Sequence, residues 1–365
     1  MNNKIHKIRL EVLSPIHIGS GRDIEPYEYI LMNDGKNVVM MRYVFSNFAK
    51  KCIEAGLLNI EELKLINKRP LEVRKKIYNL VSQNLCLVDP IYVAGVSSRG
   101  GKLNKMKVDH DLIFEHYIRN INSAVQGQES NQLQIKEFVG QAFGKYIPGS
   151  SIKGALRTAL VNESFYSDKY MLEEKKAVLN DYFCELKVSD TNLFYEGLKI
   201  GRTDRMQNDS NNYCEYLEVG TKLEFDIAID TKSRHFDIEK IRNDCRKFFG
   251  GIMGELEEGL EKYNSGLRSL DKQSAKNTIE KNNKMLEQIG ELIDLKLENN
   301  DFIINLGFGG GELYKKLKPD NGVCKFFPTN QDFKNNELLR FLSIPYTRWR
   351  LEGKMMGFAK CTIYE

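Results

Sequence analysis

The stretch Tyr146-Ile147-Pro148-Gly149-Ser150-Ser151-Ile152-Lys153-Gly154-Ala155-Leu156-Arg157-Thr158-Ala159-Leu160 constrains this chain more than any other. Proline followed by glycine breaks the preceding segment, and Ser150 or Ser151 can cap a helix. Ile152, Leu156, Ala159 and Leu160 then fall on one apolar face. A tight turn must therefore open a helix with one face buried. The first amides of such a helix lack intrahelical acceptors and point outward, which makes an anion site. Lys153 and Arg157, four residues apart, share one face beside it. This chemistry suits a sugar-phosphate backbone. It equally suits an ordinary capped amphipathic helix.

The flanking sequence supplies strands. Ile5 to Ile18 alternates apolar residues (Ile8, Leu10, Val12, then Ile16 and Ile18) and ends at Gly19-Ser20-Gly21-Arg22, which reads as a flexible basic turn. A strand pair is expected at Tyr27–Met32 and Val38–Arg42, around Asn33-Asp34-Gly35. From Val44 to Gln141 apolar residues recur at helical spacing, as in Phe45, Phe48, Ile53 and Leu57, then Leu112, Ile113 and Tyr117. Further strands are expected at Leu186–Phe194 and Lys222–Asp230. A helical stretch runs from Ile238 to Leu297 with a breakpoint near Asn264-Ser265-Gly266, and a closing strand spans Met356–Tyr364. The pattern predicts an α+β fold with large helical insertions. It divides into core segments 1–45 and 138–235, a helical insertion 46–137, a helical region 236–300, and a glycine-rich loop with closing strand at 301–365.

Composition removes several classes. Among 365 residues, 54 Lys plus Arg against 50 Asp plus Glu leave a net charge of +4, so any polyanion must be held by local patches. Hydrophobic residues at 41% and charged residues at 28% are ordinary for a soluble globular protein. No run approaches about 18 apolar residues, so no membrane span is expected. The seven cysteines are scattered and never form Cys-x-x-Cys, which argues against a disulfide framework or zinc ribbon and for a reducing cytoplasm.

A second glycine signal stands at Gly307-Phe308-Gly309-Gly310-Gly311. It lets a backbone approach a ligand or another chain closely. Glu312 follows, so it is neither a P-loop nor a dinucleotide fingerprint. Basic and aromatic residues mix at Pro345-Tyr346-Thr347-Arg348-Trp349-Arg350, a composition that suits phosphate contact and base stacking. Arg22, Arg202 and Arg205 could extend such a groove, and Arg99 to Lys107 forms a basic loop. Catalytic signals are poor. His110-Asp111 with His116 does not share a helix face well enough for a metal site. His17 could act as a general acid or base, and Asp23 with Glu25 could hold Mg²⁺. A structural histidine and solvent-facing carboxylates explain these residues as well.

In combination, Ser14-Pro15-Ile16-His17-Ile18-Gly19-Ser20-Gly21, Ile147 to Arg157 and Leu306 to Gly311 resemble the signature blocks of RAMP-superfamily CRISPR proteins. With Lys187-Val188-Ser189-Asp190, Pro345-Tyr346-Thr347-Arg348 and Gly357-Phe358, their order is similar to the fifth-subunit subgroup of the type III-A Csm effector. One departure is Lys354-Met355-Met356-Gly357, where that family often places a proline before the glycine. The resemblance implies a modified RRM-like (ferredoxin-like) core and a non-catalytic subunit at the head of the complex. Such a subunit holds the 3′ portion of the crRNA and takes part in its maturation and in complex assembly. The implied partners are crRNA, neighbouring RAMP backbone and small helical subunits, and host processing nucleases, with no cofactor, metal or membrane. The RNA-binding candidates are Ser150, Ser151, Lys153, Arg157, Gly307, Gly309, Gly310, Gly311, Arg22, Arg202, Arg205 and Arg348. An endoribonuclease acting through Asp23 or His17 is the rival reading.

Overall fold

The computed structural model describes residues 3–33, 38–65, 70–96, 134–141, 143–164, 182–205, 212–268, 273–309, 349–351 and 353–364. In chain order, β1 (Asn3–Val12), β2 (Gly19–Ile24), β3 (Tyr29–Asn33) and β4 (Val38–Tyr43) precede helices α1 (Phe45–Glu54), α2 (Ile60–Lys64) and α3 (Pro70–Gln83). Strands β5 (Pro90–Val96), β6 (Ile135–Phe138), β7 (Gly140–Gln141) and β8 (Gly144–Lys145) lead into α4 (Gly149–Glu163). Next come β9 (Leu186–Val188), β10 (Leu198–Arg205), β11 (Asn212–Leu217) and β12 (Lys222–Asp230), then the long helices α5 (Ile238–Arg268) and α6 (Gln273–Ile293). Strands β13 (Asp301–Asn305), β14 (Trp349–Leu351), β15 (Lys354–Met355) and β16 (Phe358–Ile363) complete the order.

The alternation in β1 decides its place. His6, Ile8, Leu10 and Val12 are buried while Ile5, Lys7 and Arg9 are exposed. Each fully buried aliphatic side chain contributes about 1.5–3 kcal/mol, so a strand patterned this way sits centrally. It pairs antiparallel with β12 on one side and β16 on the other. The sheet order is β13-β16-β1-β12-β9. With α4 between β1 and β9, and α5 between β12 and β16, the run β16-β1-β12-β9 is a ferredoxin-like βαββαβ unit. Strand β13 is added at its edge. Helix α4 buries Ile152, Leu156, Ala159 and Leu160, and α5 buries Ile241, Phe248, Phe249 and Ile252 in the same core.

A second sheet runs β2-β6-β11-β10-β5-β4-β3, with β14 against β10 and β15 against β14. One face of β3 and β4 is covered by α1 and α3, through Ile30, Tyr43, Phe48, Cys52, Ile77 and Val81. The interior is thus shared between the sheets, with Tyr92, Ala94 and Ile135 in the same cluster as Ile8 and Leu10.

Several expectations need correction. The basic turn at Gly19–Arg22 is strand β2, bulged between Gly19 and Asp23 where it pairs with β6. Two strands, β5 and β6, stand inside the stretch read as a helical insertion. Helix α4 begins at Gly149 with Pro148 as N-cap, so neither serine caps it. The expected strand Leu186–Phe194 is strand only to Val188. Helix α5 continues past Asn264-Ser265-Gly266 to Arg268, because Asn264 is buried and its amide is satisfied by Asn282 and Asn283 of α6. The Asp34-Gly35 turn, the Arg99–Lys107 loop, and His110, Asp111 and His116 lie outside the described residues.

Position 149 accepts only glycine. A Cβ there would sit 2.3 Å from the Val188 carbonyl oxygen and 2.7 Å from that of Ser189. Gly149→Ala is expected to destabilise the fold by about 1–3 kcal/mol, read as a lowered midpoint in urea unfolding. An unchanged midpoint would mean that α4 is not seated on the β9 strand end.

Candidate nucleic-acid interface

The start of α4 is wired internally. The Gly149 amide donates to Asp190 Oδ1 at 2.7 Å, and the Pro148 carbonyl accepts from Ser151 and Ile152. The anion at this helix N-terminus is therefore a carboxylate of the chain itself. Lys153 Nζ donates to the Phe183 carbonyl at 2.7 Å, and burial lowers its pKa. The Arg157 guanidinium lies 5.6 Å from the centroid of the Phe183 ring. Both cations thus converge on one residue of the segment leading into β9. Of the four candidates here, Ser150 is exposed, while Ser151, Lys153 and Arg157 are half-buried.

The glycine run has a similar explanation at its first position. Gly307 has φ +73°, and a Cβ there would lie 2.2 Å from the His17 carbonyl oxygen. The next amide, of Phe308, donates to that same oxygen at 2.8 Å. The close approach is between two segments of this chain. Gly309 is buried with φ +97°, and Gly310, Gly311 and Arg348 lie outside the described residues.

The arginines differ in their partners. Arg22 pairs with Glu28, which also receives Arg42 at 3.0 Å and holds the Arg22 pKa up. Arg205 pairs through its backbone with Trp349 of β14. Arg202, on β10 opposite Tyr213 of β11, is half-buried. Its Nε is buried with no hydrogen-bond partner, and no acidic side chain among the described residues meets its guanidinium. A buried guanidinium donor left unpaired is costly, which sets Arg202 apart from the paired Arg22.

His17, singled out in the sequence, meets Glu215, which sequence reasoning missed. Glu215 of β11 is fully buried. Its carboxylate accepts from the Tyr92 hydroxyl, from the Phe138 amide at 2.7 Å, and from Lys145 Nζ at 3.2 Å. Burial raises its pKa, and those three donors oppose the shift. His17 Nδ1 donates to the Glu215 backbone carbonyl at 2.6 Å, and its ring stands edge-on to Phe138 and Phe308, each at 6.0 Å. Burial depresses the His17 pKa to about 4, so the ring is neutral at pH 7. The only sequence signal was a glutamate in an otherwise apolar and aromatic run, Tyr213-Cys214-Glu215-Tyr216-Leu217. Asp23 lies 3.7 Å from Lys136 Nζ. No cluster of three or more His, Cys, Asp or Glu side chains placed to hold a metal occurs among the described residues.

Comparison with known proteins fits this architecture. The RAMP superfamily pattern matches residues 9–314. This chain belongs to the RAMP superfamily. Within that family it is 27% identical to the CRISPR system Cms protein Csm5 of Streptococcus thermophilus over 272 residues, covering 67% of this chain and 69% of the relative. It is 25% identical to the Csm5 protein of Methanocaldococcus jannaschii over 347 residues, covering 86% of this chain and 73% of the relative. A chain of the cryo-EM Csm-crRNA-target RNA ternary complex of a type III-A CRISPR-Cas system superposes with TM-score 0.57 at 16% identity, covering 99% of this chain and 100% of that one. The crystal structure of T. onnurineus Csm5 gives TM-score 0.51 at 16% identity, with 96% and 99% covered. At that identity the two structures establish the RAMP fold, ferredoxin-like core and insertions together. No helix among the described residues is long and apolar enough to cross a membrane.

The neutral, buried His17 has a pH signature. Between pH 6.5 and about 4 the unfolded chain binds a proton that the folded chain refuses. Stability is therefore expected to fall as pH drops through that window, by roughly 3 kcal/mol from this group. His17→Gln removes that contribution, so its unfolding free energy should depend less on pH there. Parallel pH profiles for the two proteins would contradict the assignment.

Proposed function

We propose that this chain is a Csm5-type, non-catalytic RNA-binding subunit of a type III-A CRISPR effector complex, working in the cytoplasm. It holds the 3′ portion of the crRNA at the head of the assembly and supports crRNA maturation and complex formation. The similarity to Csm5 proteins along 86% of the chain carries this reading. The partners of the candidate cations guide which of them this reading favours. Lys153 and Arg157 are occupied by Phe183, and Arg22 by Glu28. Arg202, whose Nε finds no partner among the described residues, is the proposed phosphate contact, and Arg205, Arg348, Ser150, Ser151 and the glycines Gly309–Gly311 complete the proposed surface. A guide sequence changes from one crRNA to the next, so contacts must go to phosphate and shape instead of base edges. His17 supports this non-catalytic assignment, since its ring is 2% exposed and turned into the core.

Filter binding of single-stranded RNA across a salt series tests the proposal. Arg202→Ala should weaken binding and reduce the slope of log K against log salt by about 0.7, the contribution of one phosphate contact on a single strand. Lys153→Ala with Arg157→Ala should change the slope by less. The reverse ranking would move the interface back to α4. Precursor crRNA incubated with the purified protein and Mg²⁺ should remain uncut, and cleavage lost in Asp23→Ala would establish the enzymatic alternative.

A further inference from the structure

We propose that the hairpin of β7 and β8 presents Phe143 as a stacking platform for one nucleobase of a single-stranded RNA. The proposal rests on the RNA-binding reading above and assigns it a specific aromatic contact. Phe143 stands in the turn between the two strands and is 85% exposed, more than any other large apolar side chain among the described residues. A phenyl ring held in water at a hairpin tip has both faces open to stack against a planar partner.

The hairpin beneath the ring is fixed. Gly140 faces Lys145 and Gln141 faces Gly144 in an antiparallel pair. A Cβ on Gly140 would lie 2.6 Å from Lys145 Cδ and 2.9 Å from the Gly144 carbonyl oxygen, so the strands close only because that residue has no side chain. The backbone of Lys145 exchanges two hydrogen bonds with Phe194, both at 2.9 Å. Its ammonium runs inward to the Phe138 carbonyl at 2.9 Å, to Glu137 at 3.2 Å and to buried Glu215 at 3.2 Å. The backbone that carries the ring is thus held in place before a base settles on it.

The size of the apolar surface selects the occupant. Gly144 abuts Leu193, which is 42% exposed. A single exposed ring falls far short of the roughly 800 Å² per partner that a stable protein interface buries. It matches a single base, and stacking tolerates any base because each has a π-face. The placement suits a strand passing α4. Segment 145–149 runs from the hairpin to that helix, held by Ile147 and Thr191 through bonds of 2.9 and 3.1 Å, and ends beside exposed Ser150.

The test uses the full chain and a single-stranded RNA carrying 2-aminopurine at successive positions. Phe143→Ala should lower affinity about tenfold, with an unchanged salt slope and the same melting temperature. Quenching of 2-aminopurine at one position should be lost in Phe143→Ala and kept in Phe143→Tyr. Unchanged affinity and quenching in Phe143→Ala would overturn the platform while leaving RNA binding intact. A reduced salt slope would also overturn it, since stacking carries no counterion release. Retained RNA binding with failure to assemble with other protein subunits would reassign the tip to protein docking. A wild-type protein that bound no RNA would remove the RNA-binding reading and this proposal together.

Discussion

The Glu215 carboxylate, fully buried between strands, is the interaction on which the candidate surface depends. It takes hydrogen bonds from β5 through Tyr92, from the end of β6 through Phe138, and from the hairpin through Lys145. Its own backbone carbonyl holds His17, whose carbonyl in turn holds Phe308 beside Gly307. A carboxylate removed from water is costly unless donors surround it. Satisfying it draws the β1–β2 connection, the β7–β8 hairpin and the first turn of the glycine run into one structure. The ferredoxin-like sheet supplies the scaffold, and this polar knot sets the positions of the segments that the sequence marks as functional.

That arrangement explains why several conspicuous residues make contacts within the chain. Gly149 and Gly307 are glycines because carbonyl oxygens of Val188 and His17 occupy the space a side chain would need. Lys153 and Arg157 share a helix face, as their spacing demands, and both meet Phe183. Half-burial of a lysine or arginine stem is favourable when its head finds a carbonyl or an aromatic ring. Cations that meet such partners add to the fold. Arg202, with a dry and unpaired Nε, differs in kind.

Much of the fold was legible from period alone. The alternation in β1 and β12, the apolar face of α4 and the long mixed-charge helices α5 and α6 all follow from the sequence, because burial on one face imposes period 2 or 3.6. Strands β10 and β11 were not legible. Leu198-Lys199-Ile200-Gly201-Arg202 carries glycine and charges that a strand tolerates only once its neighbours are known. Strand β2 was hidden for a similar reason, since Gly19-Ser20-Gly21 has turn chemistry and becomes strand through a bulge against β6. The site was less legible still. Spacing showed which residues share a face, and the partners Asp190, Phe183 and Glu28 that occupy them come from distant sequence.

Lys145 and Glu215 act as one buried unit. A double-mutant cycle on unfolding free energy, with Glu215→Gln, Lys145→Met and both together, measures it directly. Each single change leaves a buried group without its partner and should cost about 3–5 kcal/mol. The double variant should cost clearly less than the two losses added, giving a coupling of at least about 1 kcal/mol. Losses that simply add would show that the pair is not coupled, and that something other than this knot holds the hairpin and the glycine turn in place.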